Sequence, residues 1–327
     1  MISVSPARCV QVLYTGGTIG MVRGPHGLRP ASDFAARMAA ALQNHPRPLP
    51  AYRFTELAPP IDSATLTHAH WQQMHAALID AAESGACDAV LLLHGTDTLA
   101  YTAAALAHLL VDYPLPVVLT GAIHPADFPT SDAWPNVCGA LAALGAGSVR
   151  SVAVHFHGQL FDPLRVTKWR SHTADAFIAL PRPRTEDAPA PLPACLHWRT
   201  PRRAVALAAL PFVPGLRADT LCAVLDSGLE ALLLECYGTG TAPTDNPDIL
   251  AALRAAHERG VLLAAISQCP AGAVQPDVYA VSHALFASGV CPAGALSREA
   301  ALARIYALLG AGLSRDEAAA LLPVQWP

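Results

Sequence analysis

Lysine is nearly absent from this chain of 327 residues: Lys168 is the sole one among 21 basic residues, and the others are arginine. Charge of either sign is scarce, at 14% of residues, and a net charge of -4 comes with no dense basic block to follow a phosphate backbone or an anionic lipid surface. Nucleic acid and membranes are therefore set aside as partners. Hydrophobic residues reach 53% and mean hydropathy is +0.33, but alanine supplies much of this, and Gly, Pro, His or charge breaks every apolar run before the ~20 residues of a spanning helix. The chain reads as soluble. Its amino terminus through Cys9 lacks a basic start followed by an apolar core, which predicts a cytoplasmic protein.

Other absences narrow the chemistry. The eight cysteines are scattered with no Cys-x-x-Cys pair, so neither a disulfide framework nor a zinc site is predicted, and most read as buried thiols. Gly238-Thr239-Gly240 lacks the third glycine of a dinucleotide turn. There is no Gly-Lys-Ser/Thr phosphate loop and no Gly-x-Ser-x-Gly elbow. His68, His70 and His75 share one predicted helix, but no carboxylate or cysteine completes a ligand set; they read as a solvated face, with no metal. His155 and His157 alternate on a strand and read as structural.

What the sequence does have is two strand-like runs that end in glycine and threonine. Val10–Tyr14 stops at Thr15-Gly16-Gly17-Thr18, and the wholly apolar Ala89–Leu93 runs into Gly95-Thr96-Asp97-Thr98. Singly, each is an ordinary turn with a helix cap. As a pair they mark the carboxyl ends of two central parallel strands, where open α/β sheets bind ligands.

The remaining pattern is a βα alternation. After the first turn, Met21–Pro30 carries two Gly and two Pro and reads as a lid loop. Helices are predicted near 33–42, 67–84 (capped by Thr67), 100–110 and 136–144, and strands near 52–57, 116–120 and 151–156. A proline-rich stretch, 181–204, lacks periodicity and reads as a linker between a domain at 1–180 and another at 205–327. In the second domain strands near 205–210, 231–236 and 262–267 alternate with helices near 218–227 and 247–259, and helices near 282–288, 297–309 and 316–322 close the chain. The predicted fold is α/β: a larger N-terminal three-layer domain on a mainly parallel sheet, then a smaller three-layer, flavodoxin-like domain.

A threonine hydroxyl needs a base or a preorganised site to act as a nucleophile. Lys168, made partly neutral by burial, is the candidate base beside Thr96. Asp97 at a helix start suits an α-ammonium group, and Ser63 with backbone N–H groups of the glycine turns suits an α-carboxylate.

The stretch Tyr14–Met21 together with Leu93–Thr102 resembles the two signature motifs of the bacterial-type L-asparaginase/glutaminase family, the first motif being closer to the cytoplasmic type I branch. Matching positions continue at Ile61-Asp62-Ser63, Thr120-Gly121-Ala122, Thr167-Lys168, Cys236–Gly240 and Ser267–Gly272. The resemblance implies a cofactor-free hydrolase that converts L-asparagine to L-aspartate and ammonia, assembled as a homodimer or homotetramer. It implies Thr18 as nucleophile, Thr96 and Lys168 as the second hydroxyl and its partner, Asp97 on the substrate amine, Asp62 with Ser63 on the carboxylate end, and backbone at Gly17 and Gly95 around the substrate. Thr15 shapes the turn. Three departures stand out: Leu28 where many members place a lid tyrosine, with Tyr306 as an alternative auxiliary; Glu235 where type I members have an effector-site arginine, although Cys269 nearby matches; and Ala64 after Ser63. An amidase of other specificity, such as an amidotransferase subunit, and a non-catalytic amino-acid sensor are the alternatives.

Overall fold

The computed structural model describes residues 6–25, 27–43, 45–183, 188–276, 278 and 280–326. The first five residues, His26 of the predicted lid and 184–187 of the predicted linker lie outside the described residues. The chain divides into two compact units, the first ending at Ala179 and the second beginning at Leu180.

In chain order the first unit contains β1 (Cys9–Gly16), β2 (Met21–Gly24), β3 (Gly27–Pro30), α1 (Phe34–Gln43), β4 (Ala51–Ile61), α2 (His68–Ser84), β5 (Ala89–Leu93), α3 (Leu99–Leu109), β6 (Val117–Thr120), α4 (Ala133–Gly145), β7 (Val152–Phe156), β8 (Gln159–Phe161), β9 (Val166–Lys168) and β10 (Phe177–Ala179). The main sheet has the order β4-β1-β5-β6-β7-β8 and is parallel except for the last pair. Every residue of β5 and β6 is buried, which is why both read as unbroken apolar runs. Alternate side chains serve opposite faces. Val10, Val12, Leu91, Leu93 and Val118 pack with Phe34 and Met38 of α1 and Val137, Leu141 and Leu144 of α4. Gln11, Leu13 and Val90 face α2. Tyr14 and Phe34 stack with centroids 4.7 Å apart, and Trp134 stacks on Phe34 at 5.8 Å.

The segment read as a lid loop is a hairpin: β2 and β3 pair antiparallel, Arg23 opposite Leu28, with Gly27 at φ +121° relieving the turn. Leu28 itself is exposed. The polar stretch after β7, which carries no sequence periodicity, forms the short strands β8 and β9, and β10 pairs with β9 so that Phe177 lies opposite Lys168.

The second unit contains β11 (Leu207–Pro211), α5 (Ala218–Leu225), β12 (Ala231–Cys236), α6 (Pro247–Glu258), β13 (Leu262–Ser267), α7 (Ala280–Phe286), β14 (Val290–Pro292), α8 (Arg298–Gly310) and α9 (Arg315–Leu321). Its four strands are parallel and consecutive, β11-β12-β13-β14, so the order never reverses as it does in a flavodoxin-like sheet. Right-handed crossovers that all advance in one direction put α5, α6 and α7 on one face, where Leu221, Leu253 and Leu285 share a core with Leu232, Leu234 and Leu263. Helices α8 and α9 pack on the same sheet and supply the third layer.

Described parts of 181–204 wrap this unit rather than hang free. Leu196 and Trp198 are buried, Arg182 Nη2 donates to the carbonyls of Ser267 and Cys269, and Arg202 Nε donates to that of Ala307. Prolines deprive the segment of a helical or strand period, but side-chain bonds to main-chain carbonyls fix it nonetheless. Arg304 works the same way: buried on α8, its Nη1 donates to Leu322 O at 2.8 Å and Val324 O at 2.6 Å, with the guanidinium over Trp326. Replacing it leaves two carbonyls without donors, so Arg304→Met is expected to lower the unfolding free energy of this unit by about 3 kcal/mol. Urea titration followed by tryptophan fluorescence measures this, and an unchanged midpoint would show that the tail needs no such anchor.

Candidate active site

The tips of β4, β1, β5 and β6 come together through glycine. A Cβ on Gly16 would lie 2.4 Å from Ile61 O, one on Gly17 would lie 2.4 Å from Gly95 Cα, one on Gly95 would lie 2.4 Å from Ser63 Oγ, and one on Gly121 would lie 2.2 Å from His94 O. Gly17 also holds φ +87°, a region costly to any other residue. The sequence places Gly17 and Gly95 around a ligand; the first effect of all four glycines is to let strand ends touch.

Hydroxyls then converge from three chain segments. Thr15 is buried and donates through Oγ1 to Leu93 O at 2.9 Å, tying β1 to β5 below the turn. Thr18 opens a short 3-10 turn, Thr18–Gly20, and is half-buried. Arg37 of α1 strengthens that turn by donating from Nη2 to Gly20 O at 2.9 Å. Ser63 is buried at the start of the turn Ser63–Thr65, and Thr98 Oγ1 donates to its carbonyl at 2.9 Å.

Asp62 stands at the head of the same turn. Its carboxylate accepts from Ala64 N at 3.0 Å and so caps the turn. Asp62 thus shapes the turn that presents Ser63.

Lys168 arrives from β9, remote in sequence. Its Nζ donates to Thr96 Oγ1 at 2.9 Å and to Asp97 Oδ1 at 2.7 Å. Thr96 is buried; the Lys168 and Asp97 side chains are 19% and 61% exposed, so solvent screens the ion pair at its outer end only. The contact with Asp97 was not foreseen, because sequence reading reserved that carboxylate for substrate.

Beneath this group lies His94, 1% exposed. Its Nδ1 is 2.6 Å from Gly95 O, and its Nε2 is 3.0 Å from Thr102 Oγ1, which in turn receives Trp71 Nε1–H at 3.0 Å. Burial lowers the imidazole pKa to about 4, so it is neutral at physiological pH. Thr102 lies within the second signature motif, whereas Trp71 carried no sequence signal beyond helix periodicity, since its partner is 31 residues away.

Other sequence candidates fall elsewhere. Tyr306 is fully buried on α8 in the second unit. Glu235 is buried at the end of β12, and Arg298 holds it with Nε and Nη2 at 2.5 and 2.6 Å. The three helix histidines are not one solvated face. His70 Nδ1 accepts from the Thr67 N–H at the helix cap, His68 stacks on Trp71, and His75 is buried. No group of three metal-ligating side chains occurs among the described residues.

A family model for the asparaginase N-terminal domain matches residues 9–188, and one for the glutaminase/asparaginase C-terminal domain matches 207–322. The chain belongs to the asparaginase family. Among similar proteins, L-asparaginase 1 of Escherichia coli K12 is 32% identical over 323 residues, with 94% of each chain covered. The crystal structure of L-asparaginase I from Vibrio cholerae superposes with a TM-score of 0.84 at 30% identity, covering 96% of each chain. The solved structure of the thermostable L-asparaginase from Thermococcus kodakarensis gives 0.81 at 25%, covering 98% of this chain and 99% of its own. The type I character of the first motif in this asparaginase agrees with the first two.

Because the Gly17–Gly95 contact is backbone on backbone, Gly17→Ala in this asparaginase is expected to cost about 3 kcal/mol or more, combining positive-φ strain with overpacking. Gly85→Ala meets only open space at φ +61° and should cost about 1 kcal/mol. Equal destabilisation of the two variants in chemical denaturation would show that the strand tips tolerate separation.

Proposed function

We propose that this chain is an L-asparaginase that hydrolyses L-asparagine to L-aspartate and ammonia through a threonyl ester. The observation that carries the reading is Lys168 Nζ shared between Thr96 Oγ1 and Asp97 Oδ1 at the carboxyl ends of the two glycine-bearing strands. The family match and the relatives' printed activity support it.

Thr18 Oγ attacks the side-chain amide carbon, the C–N bond breaks, and the hydroxyl proton leaves with ammonia. Water then attacks the ester, Thr18 recovers its proton and aspartate departs. Thr96, held by Lys168, supplies the second hydroxyl through which protons pass to and from the attacking oxygen. The α-ammonium group of the substrate pairs with Asp97 and so competes with Lys168 for that carboxylate. Occupation of the site thereby loosens the lysine from its resting ion pair. Ser63 and amides at Gly17 and Gly95 hold the other end of the amino acid, and the Thr96 N–H faces the developing oxyanion.

The domain assignment is part of the same proposal: residues 1–180 carry the chemistry, 181–204 connect, and 205–327 form the C-terminal domain. A cytoplasmic location and a homodimer or homotetramer are proposed from the family resemblance. No described helix is long and apolar enough to cross a membrane.

Ammonia release measured with L-Asn, L-Gln and D-Asn over a concentration series tests the substrate, and a hyperbolic L-Asn curve is expected with Glu235 in place of the effector-site arginine. Thr18→Ala should fold and lose several orders of magnitude in kcat. Ammonia release from that variant at the parent rate would sink the assignment. Binding of aspartate without turnover by the parent would favour an amino-acid sensor.

A further inference from the structure

His94 has no part in the chemistry just described, yet it is a fully buried polar ring in contact with the catalytic turn, and its hydrogen bonds admit one consistent proton arrangement. Trp71 Nε1 is only a donor, so at 3.0 Å it gives its proton to Thr102 Oγ1. Gly95 O is only an acceptor, so His94 Nδ1, 2.6 Å away, carries the ring proton. The neutral ring then has a lone pair on Nε2, and Thr102 must donate to it across 3.0 Å. The resulting series runs Trp71 to Thr102 to His94 to Gly95 O, with every polar hydrogen placed. The depressed basicity of the ring agrees with that single neutral tautomer.

The last bond matters because Gly95 O and Thr96 N–H belong to one peptide. In a planar trans peptide these groups point in opposite directions. Fastening the carbonyl to a buried ring turns the amide away from the interior, and Thr96 N–H has no protein acceptor among the described residues. The His94 main chain is itself anchored through its N–H to Thr120 O at 2.8 Å, so the ring acts from a fixed base. Glycine at 95 gives this peptide more rotational freedom than any other residue would, and so the most need of a restraint.

We propose that His94 is a positioning residue that locks the Gly95–Thr96 peptide with its N–H aimed at the reacting carbonyl, its tautomer being set by Thr102 and Trp71. The proposal rests on the asparaginase reading for what the amide does, but not for how it is held.

The test has one readout independent of turnover and one that depends on it. In protein labelled with 15N-histidine, the His94 signal, identified by its loss in His94→Gln, should report the Nδ1–H tautomer at neutral pH. An Nε2–H tautomer or a charged ring overturns the proposal whether or not the chain releases ammonia. For turnover, the amide nitrogen of His94→Asn takes the place of Nδ1 and keeps the bond to Gly95 O, whereas that of His94→Gln takes the place of Nε2 and does not. With L-asparagine, His94→Gln should lose about tenfold or more in kcat with KM within about twofold, and His94→Asn should retain kcat within about threefold. A parent-like kcat for His94→Gln overturns the proposal, as do equal losses in both variants with melting temperatures lowered in step, the mark of a merely structural residue. Failure of the parent to release ammonia is a different result: it removes the asparaginase reading and leaves the tautomer measurement to decide how the peptide is held.

Discussion

Two residues without side chains, Gly17 and Gly95, set the distance between the tips of β1 and β5, and the candidate site depends on that distance. Strands in one sheet are held about 4.8 Å apart by their ladder, but beyond its end the chains ordinarily splay. Here they stay together, because each close approach removes a Cβ: Gly16 against Ile61, Gly17 against Gly95, Gly95 against Ser63, Gly121 against His94. The Ser63 hydroxyl thereby lies directly against the backbone that leads into Thr96, and Thr18 follows Gly17 at once. Thr15, bonded to Leu93 O, closes the same junction from below.

Onto this uncharged platform the structure brings one ion pair. Lys168 comes from a short antiparallel strand outside the main sheet, so its position depends on β10 as much as on its own segment. Its two acceptors differ in surroundings: Thr96 is buried and Asp97 is mostly open to water. A buried hydroxyl fixes the inner end of the ammonium group through a directional bond, while the exposed carboxylate supplies a screened attraction that a second cation can contest. That asymmetry suits a site whose substrate brings its own ammonium group.

The two strand ends and the βα rhythm were legible because they are local. A buried strand is an apolar run, a sharp turn needs glycine, and an amphipathic helix repeats every 3.6 residues. Thus 89–93 and 231–236 were read to the residue, and Thr67 was read as a cap. Contacts that join distant segments left no such trace. The hairpin of β2 and β3 looked like a loop because its strands are short and rich in Gly and Pro. The wrapping of 181–204 is made by arginine side chains on main-chain carbonyls, which no periodicity records. Trp71 looked like one more apolar position on α2, although its indole N–H begins the series ending at Gly95.

The scarcity of lysine also has a physical side. Arg182, Arg202 and Arg304 are all buried, and each reaches two or more main-chain carbonyls. A planar guanidinium with five donors in a fixed fork can serve several carbonyls at once and is weakly hydrated, so it enters the interior at lower cost than an ammonium group. In these positions arginine is the better structural residue, whatever biased the composition. In the proposed mechanism the place beside Thr96 asks for something else. A group that exchanges protons with a hydroxyl must be able to exist without its own, and arginine in a protein keeps its proton throughout. Lysine is the long basic side chain that can give one up, and its compact head needs only the two acceptors found there. In the proposed mechanism the one lysine of the chain therefore stands where an arginine could keep a charge but could not take part in proton exchange.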